Sequence, residues 1–268
     1  MTNTEIDFCV LIPCYNNTVG LIKSLHSIHY NKGPYLILII DDGSTQPVSI
    51  NQLPEQYQNS KTIKILTLPK NEGIAFALNH GLKWIQEQLN TKYIARLDCG
   101  DICFPLRFEK QVEFLEKNSS IALLGTWCYF KNYHNGFCYR YVTSTKNNNI
   151  QREMHFKNVF IHPTVMFRIE ILRKNIFYPD QFKYAEDYAF FWLILKEFKG
   201  AVLDEFLVTC EINETGISAH NRKKQILERK LIVQHYSSHK LWRTLGLMRL
   251  FFLSLLPSSI VLKLKKIA

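Results

Sequence analysis

The chain has 268 residues, 47% of them hydrophobic, seven cysteines and a formal net charge of +10. That length can bury one large α/β core, and the composition is that of an ordinary globular enzyme, without internal repeats or long low-complexity segments. An odd cysteine count with no paired C-x-x-C spacing argues against a disulfide framework and structural zinc, and no nucleic-acid-reading motif accompanies the positive charge.

Phe8 to Pro13 is a short apolar run ended by proline, followed by a polar turn, Cys14 to Thr18, and a helical pattern through Tyr30. It reads as a buried strand, a loop and a helix. Leu36 to Ile40 is wholly apolar and runs into Asp41-Asp42-Gly43-Ser44, so a second strand ends in acids and a turn. Ile63 to Leu68 supplies a third strand, Asn71 begins a helix ending near Leu89, and Tyr93 to Leu97 is the fourth. Continuous apolar strands alternating with helices predict a doubly wound sheet covered on both faces.

The fourth strand delivers Asp98 and Asp101 onto a short turn, and Pro105 to Lys110 then opens a helical pattern. Open α/β sheets place ligands beyond the carboxyl ends of their strands. A divalent cation bridging a diphosphate suits two carboxylates there, because magnesium and manganese prefer hard oxygen ligands. The alternative is an Asp-Gly turn whose side chains bond only local backbone. No glycine-rich dinucleotide fingerprint or G-x-x-x-x-G-K-[ST] loop is present, which disfavours dehydrogenases and P-loop enzymes.

Five blocks now stand in order: Leu11-Ile-Pro-Cys-Tyr-Asn16, Ile40-Asp-Asp-Gly-Ser44, Asn71 to Asn79, Arg96-Leu-Asp-Cys-Gly-Asp-Ile102 with Pro105 and Arg107, and Ala185-Glu-Asp-Tyr188 with Trp192. Through them, over roughly residues 7 to 220, the chain resembles the family 2 glycosyltransferases. The resemblance implies the GT-A fold, a Rossmann-like doubly wound mixed sheet with helices on both faces, and transfer of a sugar from a nucleotide-sugar donor, with UDP the expected nucleotide. By position, Pro13, Tyr15 and Asp42 match residues that hold the base and ribose, and Asn71 and Gly73 match a segment beside the nucleotide. Asp98 matches the first acid of a D-x-D motif and belongs to both the nucleotide and the metal set. The second acid falls on Gly100, so a Mn²⁺ or Mg²⁺ ion is left to Asp98, Asp101 or both.

Glu186 and Asp187 open an apolar, aromatic helical pattern. Acids in a first turn can simply cap free amides and complement the helix dipole. The resemblance instead makes Asp187 the general base, with Glu186 supporting it. A base is needed because an acceptor hydroxyl attacking an anomeric carbon becomes strongly acidic in the transition state. One base opposite one metal-bound leaving group implies a single, inverting displacement. Ile121 to Tyr129 and Phe137 to Val142 read as strands, the polar stretch Ser144 to Gln151 as a mobile loop, and Val165 to Phe167 as a further strand. His162 and Trp192 are candidates for the substrate pocket, although a lone histidine is more often structural. His220 could approach the metal, with no spacing rule to support it.

Residues 222 to 268 hold eleven Lys or Arg and one acid, Glu228, while residues 1 to 221 are charge-balanced. The expected division is therefore a catalytic domain, 1–221, and a basic amphipathic helical tail, 222–268. Leu241 to Leu256 interleaves large apolar residues with cations, and the uncharged run Leu250 to Leu262 is too short for a transmembrane helix. An interfacial helix on an anionic cytoplasmic leaflet fits, and a helix packed on the domain is the alternative. The N-terminus lacks signal-peptide regions, so a cytoplasmic, peripheral location on the inner face of the cytoplasmic membrane is expected. The expected acceptor is a growing surface glycan, lipid-linked or free, such as lipopolysaccharide, O-antigen or capsule. A non-catalytic scaffold, motivated by Gly100, and a sugar-nucleotide nucleotidylyltransferase are the competing readings.

Overall fold

The computed structural model describes residues 5–58, 60–213 and 221–256. His220, the run from Pro257 to Leu262 and the terminal lysines 263, 265 and 266 lie outside the described residues. The strands are β1 (Ile6–Cys14), β2 (Tyr35–Asp41), β3 (Ile63–Thr67), β4 (Thr91–Arg96), β5 (Ile102–Cys103), β6 (Ile121–Lys131), β7 (Cys138–Tyr141), β8 (Met166–Arg168) and β9 (Lys199–Glu211). The helices are α1 (Thr18–His26), α2 (Glu55–Gln58), α3 (Ile74–Gln88), α4 (Arg107–Lys117), α5 (Asn147–Glu153), α6 (Glu170–Arg173), α7 (Glu186–Glu197), α8 (Arg222–Tyr236) and α9 (Lys240–Leu255).

The strands form one mixed sheet in the order β3-β2-β1-β4-β8-β6-β9-β5, with β7 paired to β6. The first four strands are parallel, and β8 enters antiparallel between β4 and β6. The expectation of a doubly wound mixed sheet therefore holds. Two apolar clusters flank it: Leu11, Ile40, Leu78 and Phe190 belong to one, and Val10, Ile39, Leu25 and Phe108 to the other. Adjacent residues of one strand thus face opposite clusters, as a pleat covered on both sides requires.

Two local expectations change. The helix after β1 stops at His26, because the Ser27 hydroxyl and amide both donate to Ser24 O; the chain then runs on as coil to Tyr30, whose hydroxyl donates to Asp7. Ser144 to Gln151, expected as a mobile loop, forms most of α5 instead. Its one large apolar residue, Ile150, is fully buried, Asn147 Oδ1 accepts from Gly200 N at 3.0 Å, and Glu153 accepts from Ser144 N at 2.8 Å. A single buried contact and two side-chain tethers order a segment whose composition reads as loop.

The apolar core crosses the compositional step at residue 222. Ile232, Val233 and Tyr236 of α8 and Leu250 of α9 belong to the same buried cluster as Phe190 and Ile194 of α7.

Candidate functional site

The acid turn sits at the carboxyl ends of β1 and β4, and α1 holds it there. Ser24 Oγ donates to Asp98 O at 3.0 Å and accepts from Gly100 N at 2.9 Å, while Gly100 N also donates to Gly20 O. Gly100 has φ +103°, a conformation that favours glycine. The two predicted metal acids face different ways. Asp98 has a side chain 31% exposed, with Oδ1 accepting from the Arg96 guanidinium at 2.5 Å. Asp101 is buried, and its Oδ1 accepts from Glu211 N at 2.7 Å. Burial, then the charge of Asp98, push the Asp101 pKa well above the usual carboxylate range.

Behind Asp98 runs a buried polar chain. The fully buried Arg96 donates to Leu11 O, Leu97 O and His162 Nε2, and His162 Nε2 shares a 2.7 Å hydrogen bond with the Tyr178 hydroxyl. Burial, then the Arg96 charge, push the His162 pKa down to about 3, so the ring is neutral. The structure places His162 behind the acid turn, where it orients Arg96, and Arg96 in turn fixes Asp98. A second buried arginine, Arg107, donates to Arg96 O at 2.7 Å and offsets part of the charge on Asp101.

Just beyond the end of β2, Asp42 is buried and accepts three bonds: from Asn71 Nδ2 at 3.0 Å, Glu72 N at 2.9 Å and Gly73 N at 2.9 Å. It ties the Asn71–Gly73 segment to the end of β2. Gly43, at φ +67°, lets that segment pass, since a Cβ there would lie 2.2 Å from Lys70 C. Tyr15 is half exposed beside Pro13, whose carbonyl accepts from the Cys99 thiol. Pro13, Tyr15, Asp42, Asn71 and Gly73 therefore line the same strand-end edge as Asp98.

Glu186 and Asp187 form the first turn of α7. Asp187 Oδ2 accepts from Asn158 Nδ2 at 2.9 Å and Oδ1 from Tyr188 N at 2.6 Å. Burial pushes its pKa up to about 6, with Asp98 adding to the rise and Arg229 opposing it. Burial, then the charge of Asp187, push Glu186 up to about 8. Asp98 thus lies near enough to be felt by both α7 acids, which brings the acid turn and the start of α7 within electrostatic reach of each other. Trp192 lies two turns along α7, 8% exposed, its ring edge-on to His155 at 5.0 Å, within the core.

The tail completes this side of the site. Glu228 of α8 accepts from Lys183 N at 3.2 Å and Tyr184 N at 2.7 Å, clamping the loop that leads into α7. Lys224 donates to the Tyr184 hydroxyl, and the Arg229 guanidinium lies 5.4 Å over the Tyr188 ring. Asn158, Glu228, Arg229 and Arg96 are functional neighbours that sequence reasoning missed. Of these, Glu228 carried a signal as the sole acid in a basic tail, and Arg96 stood at the head of the Arg96 to Ile102 block without a role assigned to it.

The donor set suits a hard divalent cation: Asp98 Oδ2 has no protein partner among the described residues, and such ions need only one or two carboxylates when phosphates and water complete the shell. Among the described residues no cluster of three or more His, Cys, Asp or Glu forms a ready-made cage.

A mixed sheet with acids at its carboxyl edge and a buried acid pair at a helix start beside them has the architecture of the GT-A fold. Residues 9–177 match the family described as "Glycosyl transferase family 2", and the chain belongs to that family. Among its relatives, the amylovoran biosynthesis glycosyltransferase AmsE of Erwinia amylovora is 31% identical over 69% of this chain and 68% of its own length. An Escherichia coli protein named UDP-Gal:alpha-D-GlcNAc-diphosphoundecaprenol beta-1,3-galactosyltransferase is 30% identical over 72% of this chain and 69% of its own. The mannosyltransferase PcManGT of Pyrobaculum calidifontis, solved with GDP-Man and Mn²⁺, shares the fold with a TM-score of 0.67 at 14% identity, over 94% of this chain and 70% of its own. The chain is a family 2 glycosyltransferase, and the scaffold and nucleotidylyltransferase readings are not favoured.

Proposed function

We propose that the protein is an inverting glycosyltransferase that moves a sugar from a UDP-sugar to a hydroxyl of a lipid-linked surface glycan. The observation that carries this reading is the pairing of Asp187, held at about 6 by burial, with Asp98 in the same site. In it, Asp187 takes the proton of the acceptor hydroxyl as that oxygen bonds to the anomeric carbon, and the bond from that carbon to the diphosphate breaks on the opposite face. Asn158 and Tyr188 N aim the carboxylate; Arg96 aims Asp98. A bound Mn²⁺ or Mg²⁺ ion, held by Asp98, supplies charge stabilisation for the leaving diphosphate. The relatives named for amylovoran and for a diphosphoundecaprenol-linked acceptor support the glycan class.

The tail supports a peripheral membrane location. Leu241, Leu245, Met248, Phe252 and Leu255 of α9 are all exposed, spaced four and three residues apart on one face. Lys240 and Arg243 flank the stripe, and Lys230 of α8 lies 5.6 Å over the Phe251 ring. Among the described residues no helix is long and apolar enough to cross a membrane. An anionic leaflet satisfies both the apolar stripe and its cations, whereas a second copy would bring like charges together. The inner face of the cytoplasmic membrane is where a lipid-linked acceptor and a nucleotide sugar would meet.

Calorimetric titration with UDP, GDP, dTDP and CMP, each with Mn²⁺ and with a chelator, tests the donor reading. Metal-dependent binding of UDP is expected, and binding of none of the four overturns it.

A further inference from the structure

The departure of this chain from the D-x-D pattern has a counterpart in space. Gly100 stands where the second acid would be, and a Cβ built on it would lie 2.7 Å from Glu211 Oε2. The carboxylate of Glu211, at the end of β9, therefore occupies the place where a side chain at position 100 would begin. Two features hold it there. β9 pairs with β5 through Ile102↔Thr209 and Cys103↔Val208, which carries its end past the acid turn, and Glu211 N donates to Asp101 Oδ1 at 2.7 Å. The Glu211 side chain is 30% exposed, about as open as that of Asp98, and a cation already sits on it: Lys23 Nζ lies 2.9 Å from Oε2 and also 3.7 Å over the Tyr133 ring.

We propose that Glu211 supplies the carboxylate that Gly100 lacks, so that the divalent cation of the donor diphosphate is held by Asp98 and Glu211, while Asp101 is a structural acid. The proposal rests on the donor-site reading above. Asp101 is spent on anchoring β9 to the turn, and its burial leaves it facing protein. Asp98 and Glu211 are the two partly open carboxylates beside the turn, and hard cations favour such oxygen pairs supplemented by phosphate and water. Lys23 occupies Glu211 until the cation arrives, and the Tyr133 ring face then remains as its resting place.

The test measures Mn²⁺ binding to the full chain in the presence of UDP, by the loss of the free-ion paramagnetic resonance signal, with the circular dichroism spectrum and urea midpoint as a separate check that each variant is folded. Glu211→Gln is expected to weaken Mn²⁺ binding about tenfold or more, the scale of losing one charge-assisted contact. Glu211→Asp should recover part of the loss, Lys23→Met should tighten Mn²⁺ binding, and Asp101→Asn should cost less than Glu211→Gln. Wild-type Mn²⁺ affinity in Glu211→Gln overturns the proposal while leaving the donor site intact. So does UDP binding that is indifferent to Mn²⁺ and lost in Lys23→Met, which would assign the cationic role to that lysine. A wild-type chain that takes up no Mn²⁺ with UDP, GDP or dTDP overturns the donor-site reading and this proposal together.

Discussion

Asp187→Asn separates two consequences of burying a carboxylate at the start of α7. Burial holds the Asp187 pKa at about 6 against an ordinary 3.8. That is a difference of about two units, each worth about 1.4 kcal/mol between the protonation states. Between the two values the folded chain binds more protons than the unfolded one, so stability falls as pH rises through that window. Above it, the ionised folded carboxylate costs at most about 3 kcal/mol, an upper bound because the side chain keeps some solvent contact; below it the cost is absent. An asparagine still accepts from Tyr188 N and carries no charge. The variant should therefore resist urea better than wild type near pH 8, by up to about 3 kcal/mol, and show no such gain near pH 4. The same change removes the proposed general base and should lower kcat by roughly 10²- to 10⁴-fold. Urea unfolding at the two pH values, alongside initial rates, reads both effects. Equal stability changes at both pH values, or activity within tenfold of wild type, would refute the assignment.

In the wild type, kcat/KM should rise with pH through about 6 as Asp187 loses its proton, and a flat profile across that range would leave Asp187 without a role as base. Glu228→Gln should weaken the hold on Lys183 N and Tyr184 N and lower kcat several-fold, with UDP affinity unchanged, because the clamp lies on the base side of the site; a rise in UDP Kd instead would place its effect elsewhere. Replacing Leu245 and Phe252 together with glutamate should reduce co-sedimentation with phosphatidylglycerol vesicles roughly tenfold or more while leaving UDP binding intact, since both side chains are exposed; unchanged sedimentation would remove α9 from the membrane.

The elements legible in the sequence are those whose signal is local. β1 and β2 carry continuous apolar runs, and β4 an apolar stretch from Tyr93 to Ala95, because both faces of the sheet are covered, and turn residues with acids follow β2 and β4. The placement of Asp98 and Asp101 at one strand end was legible for the same reason. What each acid does was not. Asp101 is claimed by an amide 110 residues away, and the neutral state of His162 depends on Arg96 and burial rather than on its neighbours in sequence. The helix α5 was hidden because its exposed face is polar and a single side chain, Ile150, ties it to the core.

The charge step at residue 222 marks a change of surface, and the core ignores it. α8 carries Lys223 and Lys224 outward and still buries Ile232 and Val233 against α7, because an amphipathic helix can be basic on average and apolar along one stripe. From the same helix, Glu228 fixes the loop before Asp187, and Arg229 moderates its pKa. α9 then packs on α8 and turns its apolar stripe away from the protein. One helix thus packs on α7, which carries Asp187, on one side and on the proposed membrane-facing helix on the other. An acceptor held at a bilayer would meet Asp187 at a height set by α8, so the tail acts in this reading as the part that fixes where the acceptor hydroxyl arrives. Proximity of that kind enters the rate through orientation, and small displacements of α8 would be felt in kcat before they were felt in nucleotide binding.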